Sequence, residues 1–201
     1  MSAAIEFYFD FSSPYAYLAS EQIDALAQRH GRELVLHPVL LGAAFRVSGQ
    51  RPLTEVPLKG EYSRRDFARS ARHAGIAFAM PEPFPISTVQ AARAFLVLQE
   101  TGDVALLHRY FHAAYRAYFV HGRDISDSSI LAQVLEECGA PAASVLEACA
   151  QPRTKEALKL AVDAALARGV FGAPYMIVDG EPFWGADRLP QLERWLSSGP
   201  F

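Results

Sequence analysis

The chain has 201 residues, 51% of them hydrophobic and 20% charged, with a formal net charge of −3. That balance suits one globular unit, or one unit with a large insertion, whose core needs no disulfide staples. Charges of both signs are spread along the chain without a block of one sign, which argues against a nucleic-acid or membrane surface.

The start, "MSAAIEFYF", lacks a basic segment followed by a long apolar one, so no secretory signal is expected. No stretch reaches the roughly 18 apolar residues of a membrane span. Cys138 and Cys149 form neither a CxxC pair nor a zinc pattern, and both read as buried free thiols on helices. A cytoplasmic, reducing location is expected.

"IEFYFDF" (5–11) is aromatic and β-branched and predicts a strand. Pro14 then opens a helix that runs to about residue 30 and stops at Gly31. "ELVLHPVLL" (33–41) predicts a second buried strand, parallel to the first in a β-α-β unit. Residues 42–60, rich in Gly and Pro, read as a loop with at most a short helical turn. Helices are predicted over 61–74, 88–101, 103–120, 127–138, 142–149 and 153–168. "GVFGAPYMIVDGEPFWG" (169–185) predicts a strand, a D-G turn and a second strand. A last helix starts near Ala186 or Asp187. Strands split by a helical block imply an α/β core with an insertion. Residues 1–41 and 169–201, with helix 153–168, form the expected core domain, and 42–152 the inserted helical domain.

Several residues are candidates for chemistry. Ser13, directly before Pro14, fits a helix N-cap. The same place, a helix N-terminus after a strand, attracts anions, and a hydroxyl there can stabilise a thiolate or carboxylate. Pro174 in "GAPY" enters a strand where it cannot donate to the ladder; by frequency alone its peptide bond is expected to be trans. Asp187, beside Arg188 at a presumed helix start, reads as a helix cap or as a carboxylate for a ligand ammonium, with the neighbouring N–H groups receiving a ligand carboxylate. His108 and His112, four apart, form half a metal site, but no third ligand is evident near them and no metal is expected. Phe111, Tyr115 and Tyr118 follow helical spacing and read as core, and Arg64, Arg65, Asp66, Arg69 and Arg72 as a solvated, ion-paired face.

These pieces, in this order, resemble 2-hydroxychromene-2-carboxylate isomerase and its relative, the kappa-class glutathione transferase. The carriers are "FYFDFSSPYAYL", "SGQRPL", "LKGEYSRRDFAR", "FAMPEPFP", "AYFVHGRDISD" and "GVFGAPYMIVDGEPFWGADRL". The resemblance implies a thioredoxin-like α/β fold with a large all-helical insertion domain, glutathione as cofactor, a small aromatic substrate and a homodimer. It makes Ser13 the active-site serine, where disulfide oxidoreductases place the first cysteine of CxxC. Ser13-Pro14-Tyr15-Ala16 has no thiol at either end, which argues against dithiol chemistry by this chain. Pro174 then matches a cis-proline, and Ala173 the residue whose backbone pairs with the glutathione cysteinyl unit. Asp187 and Arg188 match the pair on the γ-glutamyl end, and Gln50, where relatives often carry Asn, faces the glycyl end. Lys59 and Thr88 match stretches of the substrate pocket, where Ser63 and Ser87 depart from the usual residues. The implied activity is a glutathione-dependent cis-trans isomerisation in aromatic catabolism. A kappa-type transferase or peroxidase, and a thioredoxin-fold binding module without turnover, stay open as alternatives.

Overall fold

The computed structural model describes residues 4–201. Its sheet is built on β1 (Ile5–Phe9), β2 (Leu34–Pro38), β3 (Tyr175–Val178) and β4 (Glu181–Trp184), in the order β2-β1-β3-β4. β1 is central, which explains why Ile5, Phe7 and Phe9 are fully buried and Tyr8 nearly so. β2 lies parallel to β1, with Ile5 opposite Leu34 and Phe9 opposite Pro38. That pairing needs a crossover, and α1 (Pro14–Arg29) provides it. β3 runs antiparallel to β1 with Phe7 opposite Met176, and β4 pairs antiparallel with β3. Pro38 and Pro182 sit on the two edge strands, where a missing N–H costs no ladder bond. The β3–β4 connection is the two-residue turn Asp179-Gly180, both at positive φ (52° and 87°), as a tight hairpin requires.

Between β2 and the last hairpin the chain is helical: α2 (Leu41–Ser48), a 3₁₀ turn (Leu53–Glu55), α3 (Lys59–Ala74), α4 (Val89–Gln99), α5 (Val104–Phe119), α6 (Ser128–Glu137), α7 (Ala142–Ala150) and α8 (Pro152–Ala167). A 3₁₀ turn (Ala186–Arg188) leads into α9 (Leu189–Ser198). Among the described residues no helix is long and apolar enough to cross a membrane.

Helix α2 corrects the expectation of a loop. It has no capping side chain of its own, since its N-cap position is Leu40. Its first N–H, on Leu41, donates instead to Asp10 Oδ2 at 2.7 Å, a carboxylate 31 residues earlier. A helix capped from a distant strand end leaves no local signature of its start.

The sheet and the helical segment share one core. Phe9 is enclosed by Phe11 (ring centroids 5.0 Å), Phe95 of α4 (5.0 Å) and Phe111 of α5 (4.7 Å), all at steep edge-to-face angles. Phe111, Tyr115 and Tyr118 are buried as their spacing implies. Phe111→Ala is expected to destabilise the fold by about 3–5 kcal/mol, the usual cost of emptying an aromatic site. A denaturant titration with unchanged slope would verify it.

A charged seam also joins α1 to α5. Arg116 holds Glu21 at 2.7 Å, and His108 and His112 face Asp24. Burial opposes the His112 imidazolium, but Asp24 and Glu21 outweigh it and raise the group to about 9.

Candidate active site at the start of the first helix

Ser13 is the N-cap of α1, with extended backbone (φ −91°, ψ 114°) and 4% exposure. Its Oγ accepts from Ala16 N at 3.1 Å, so the cap exists. The hydroxyl hydrogen is committed elsewhere: it donates to the Ala173 carbonyl at 2.8 Å, across 160 residues. The Ala173–Pro174 bond is cis, which corrects the frequency-based expectation of trans. Pro174 O in turn accepts from Gly185 N at 3.0 Å, tying this turn to the end of β4.

Gly185 has φ 111°, a conformation open mainly to glycine, and a Cβ there would meet the Asp187 carboxylate. Asp187 does not cap a helix. It pairs with Arg188 at 3.1 Å, with side chains 71% and 43% exposed, which leaves both groups open to a charged ligand. The 3₁₀ turn carrying them packs against α1. Tyr15 in the first turn of α1 is pushed well above the ordinary phenol range by burial, by its bond to Asp66 and by charges that include Asp187. Its hydroxyl therefore stays protonated and donates to Asp66 Oδ2 at 2.5 Å. Asp66 is also bonded to Arg69, and with Arg65–Glu61 the expected ion-paired face of α3 is present.

The other predicted site residues are not gathered so closely. Gln50 and Lys59 are exposed at the end of α2 and the start of α3, and their side chains make no hydrogen bond or ion pair among the described residues. Thr88 is buried, and its hydroxyl donates to Asp10 Oδ1 at 2.6 Å, so its polar hydrogen serves the fold. Ser63 is buried with its hydroxyl on Gly60 O at 2.8 Å. A depression of about 540 Å³ on α3, lined by Arg64, Arg65, Arg69 and Arg72, and another of about 370 Å³ at Ser87, Gln90 and Arg93, include neither Ser13, Ala173 nor Asp187 in their walls.

Asp10 is the residue that local reasoning missed. It is 3% exposed, and its carboxylate accepts from Ser12 N (2.8 Å), Ser12 Oγ (2.9 Å), Thr88 Oγ1 and Leu41 N. Its backbone carbonyl accepts from Ser13 N and from the Tyr115 hydroxyl, both at 2.9 Å. The starts of α1, α2 and α4 thus converge on one anion, as the positive ends of helices favour. The available signal was an acidic residue directly after an aromatic-rich strand. Trp184 was also missed. It is half-exposed and its indole lies over Gly172, the residue before Ala173, where a Cβ would meet it.

The cysteines remain outside this arrangement. Both are buried, and desolvation pushes Cys149 up to about 11 and Cys138 upward as well. Neither is a thiolate near neutral pH, so the chain has no nucleophilic sulfur of its own.

Residues 4–197 match the model of the DSBA-like thioredoxin domain. The chain belongs to that family. Within the DSBA-like family, it is 32% identical over 198 residues to 2-hydroxychromene-2-carboxylate isomerase of Sphingobium xenophagum, covering 98% of this chain and 99% of the relative. Human glutathione S-transferase kappa 1 is 26% identical over 212 residues, covering 98% and 94%. A solved 2-hydroxychromene-2-carboxylate isomerase superposes with a TM-score of 0.87 at 26% identity, over 96% of this chain and 94% of that one. The DSBA-like core, with a thioredoxin-like sheet and a large helical insertion, is therefore the fold of this protein. In this DSBA-like chain the helix start that follows β1 carries Ser13, with no cysteine in its first turn.

Proposed function

We propose that the protein is a glutathione-dependent isomerase that interconverts 2-hydroxychromene-2-carboxylate and trans-o-hydroxybenzylidenepyruvate. The observation that carries this reading is the bond from the buried Ser13 hydroxyl to the carbonyl before a cis-proline, at a helix start and in a chain with no reactive thiol of its own. Such a site is suited to an incoming sulfur. The named similarity to isomerases and to kappa-class transferases points the same way.

The residues present fit glutathione. A buried hydroxyl and the first N–H groups of α1 suit a thiolate. The exposed Asp187–Arg188 pair offers an acceptor and donors for the ammonium and carboxylate of a γ-glutamyl group. Bound glutathione would supply a thiolate that adds to an electron-poor carbon of the substrate, lets the opened ring rotate, and is eliminated unchanged. Ser13, whose hydrogen now goes to the Ala173 carbonyl, would be the donor that holds negative charge on the sulfur. The backbone at Ala173 would hold the cysteinyl unit, as an added strand is held. Gln50 would offer its amide to the glycyl end. Lys59, exposed and unpaired among the described residues, holds the substrate carboxylate, and Thr88 shapes the pocket through its bond to Asp10. In this reading 1–41 with 153–201 is the main glutathione side, and the helical segment 42–152 is the acceptor side that also lends Gln50 to glutathione.

The test incubates the protein with glutathione and the chromene carboxylate and follows the ultraviolet spectrum together with free thiol. Isomerisation with no loss of glutathione supports the proposal. Conjugation of an electrophile, with glutathione consumed, replaces it by a transferase, and calorimetry showing no glutathione binding removes the scheme. Asp187→Ala is expected to weaken glutathione about tenfold by calorimetry, because a hydrogen bond to a charged group contributes about 1.5 kcal/mol at an open site.

A further inference from the structure

The seam between α1 and α5 holds a ligand set that the proposed isomerisation does not use. His108 and His112 stand one turn apart on α5 and leave the same face. The sequence near them offers no third ligand, but the fold brings Asp24 of α1 against both rings. His108 Nδ1 lies 3.0 Å from Asp24 Oδ1, and His112 Nε2 lies 2.8 Å from Asp24 Oδ2. One ligand atom from each of the three residues falls within 4.8 Å of the others. The side chains are 27%, 20% and 40% exposed for His108, His112 and Asp24, so water can complete a coordination sphere.

We propose that Asp24, His108 and His112 bind a divalent ion of the zinc class, at a site separate from Ser13. Asp24 lies eleven positions along the helix from Ser13, about 16 Å at 1.5 Å per residue. Two imidazoles and a carboxylate are a donor set that suits zinc, with water as the fourth ligand. Zinc–ligand bonds of about 2.0–2.1 Å place tetrahedral neighbours about 3.3 Å apart. The two nitrogen–oxygen contacts go to different oxygens of Asp24, and the three ligand atoms now lie within 4.8 Å of one another, so the carboxylate and rings turn to close on the ion as the bridging hydrogens leave to solvent.

A second observation supports the site. His112 Nδ1 is buried and has no hydrogen-bond partner, yet it faces Glu21 Oε1 at 3.6 Å. Glu21 is itself held by Arg116. A histidine that binds metal through one nitrogen commonly donates from the other to a carboxylate. Metal on Nε2 fixes the proton on Nδ1 and turns Glu21 into its acceptor. The ion would clasp α1, which crosses over between the parallel strands, to α5 of the helical insertion.

The test uses the full chain without an affinity tag, stripped by chelator dialysis, with no glutathione present because thiols bind zinc. Zinc is titrated in competition with a chromogenic chelator, and thermal unfolding is followed in parallel. The expected result is one zinc per chain and a raised Tm. Asp24→Asn and His108→Gln are each expected to weaken binding at least tenfold. Glu21→Gln, which leaves every ligand in place, is expected to weaken it about 10–100-fold. Paramagnetic cobalt added to the unmodified chain gives a readout that needs no variant. It must broaden the ring signals of His108 and His112 before those of His30, His37, His73 and His121. Substoichiometric zinc, unchanged affinity in the ligand variants, or cobalt broadening that starts at another histidine overturns the proposal.

Discussion

Ser13→Ala is expected to lower turnover about 100-fold at saturating glutathione, the usual loss when one preorganised donor to a developing anion is removed. Glutathione affinity should change far less, because the Asp187–Arg188 pair and the Ala173 backbone are untouched. The free thiol titrates near 8.5, so without the hydroxyl the rate should depend on pH as that unassisted thiol does. The alkaline shift of the rate inflection is the specific sign of a lost thiolate partner, and a general folding defect would not produce it. The substitution also removes the N-cap bond to Ala16, at a cost of about 1 kcal/mol. Turnover within about threefold of the unsubstituted protein, with an unmoved pH profile, would exclude Ser13 from the chemistry.

Asp10→Ala is expected to destabilise the fold on the scale of emptying an aromatic core site. It leaves the N–H groups of Ser12 and Leu41 and the hydroxyl of Thr88 without their shared acceptor, in a place that is 3% exposed. Each stranded buried group costs about 1–3 kcal/mol, reduced where water or a rotated hydroxyl finds another partner. A loss of about 3 kcal/mol is therefore expected, read as a fall in Tm of roughly 6–12 °C for a chain of this size. Asp10→Asn should also fail to restore stability, because its amide group turns a donor toward donors. Hydrogen exchange should show the first turns of α2 and α4 opening before the sheet. If both variants melt within about 2 °C of the parent chain, the convergence of helix starts on Asp10 does not hold the fold together.

Most of the architecture was legible because its signals are local. The aromatic and β-branched run at 5–9, proline at the first position of α1, and Asp179-Gly180 between two short strands each act within a few residues. The helices from α3 to α8 begin and end within about two residues of their predicted bounds, since apolar spacing and glycine or proline breaks define them. Helix α2 was not legible, because its cap is the carboxylate of Asp10 rather than a neighbour. The candidate site divides in the same way. Ser13 was visible as a helix cap, and Asp187 with Arg188 as a charged pair. Nothing local shows that the Ser13 hydroxyl spends its hydrogen on Ala173, or that Thr88 spends its own on Asp10.

The amino-acid sequence by itself determined the order of elements, the buried aromatic core and the absence of a thiol where Ser13 stands, because periodicity and residue chemistry are properties of short stretches. Only the tertiary structure decided which distant groups meet. It placed Ser13 against Ala173 and a cis-proline, drew three helix starts onto Asp10, and brought Asp24 to His108 and His112. The physical reason is that hydrogen bonds reach about 3 Å whatever the separation in sequence. Partners 78, 84 or 160 residues apart are therefore set by how the sheet and helices pack.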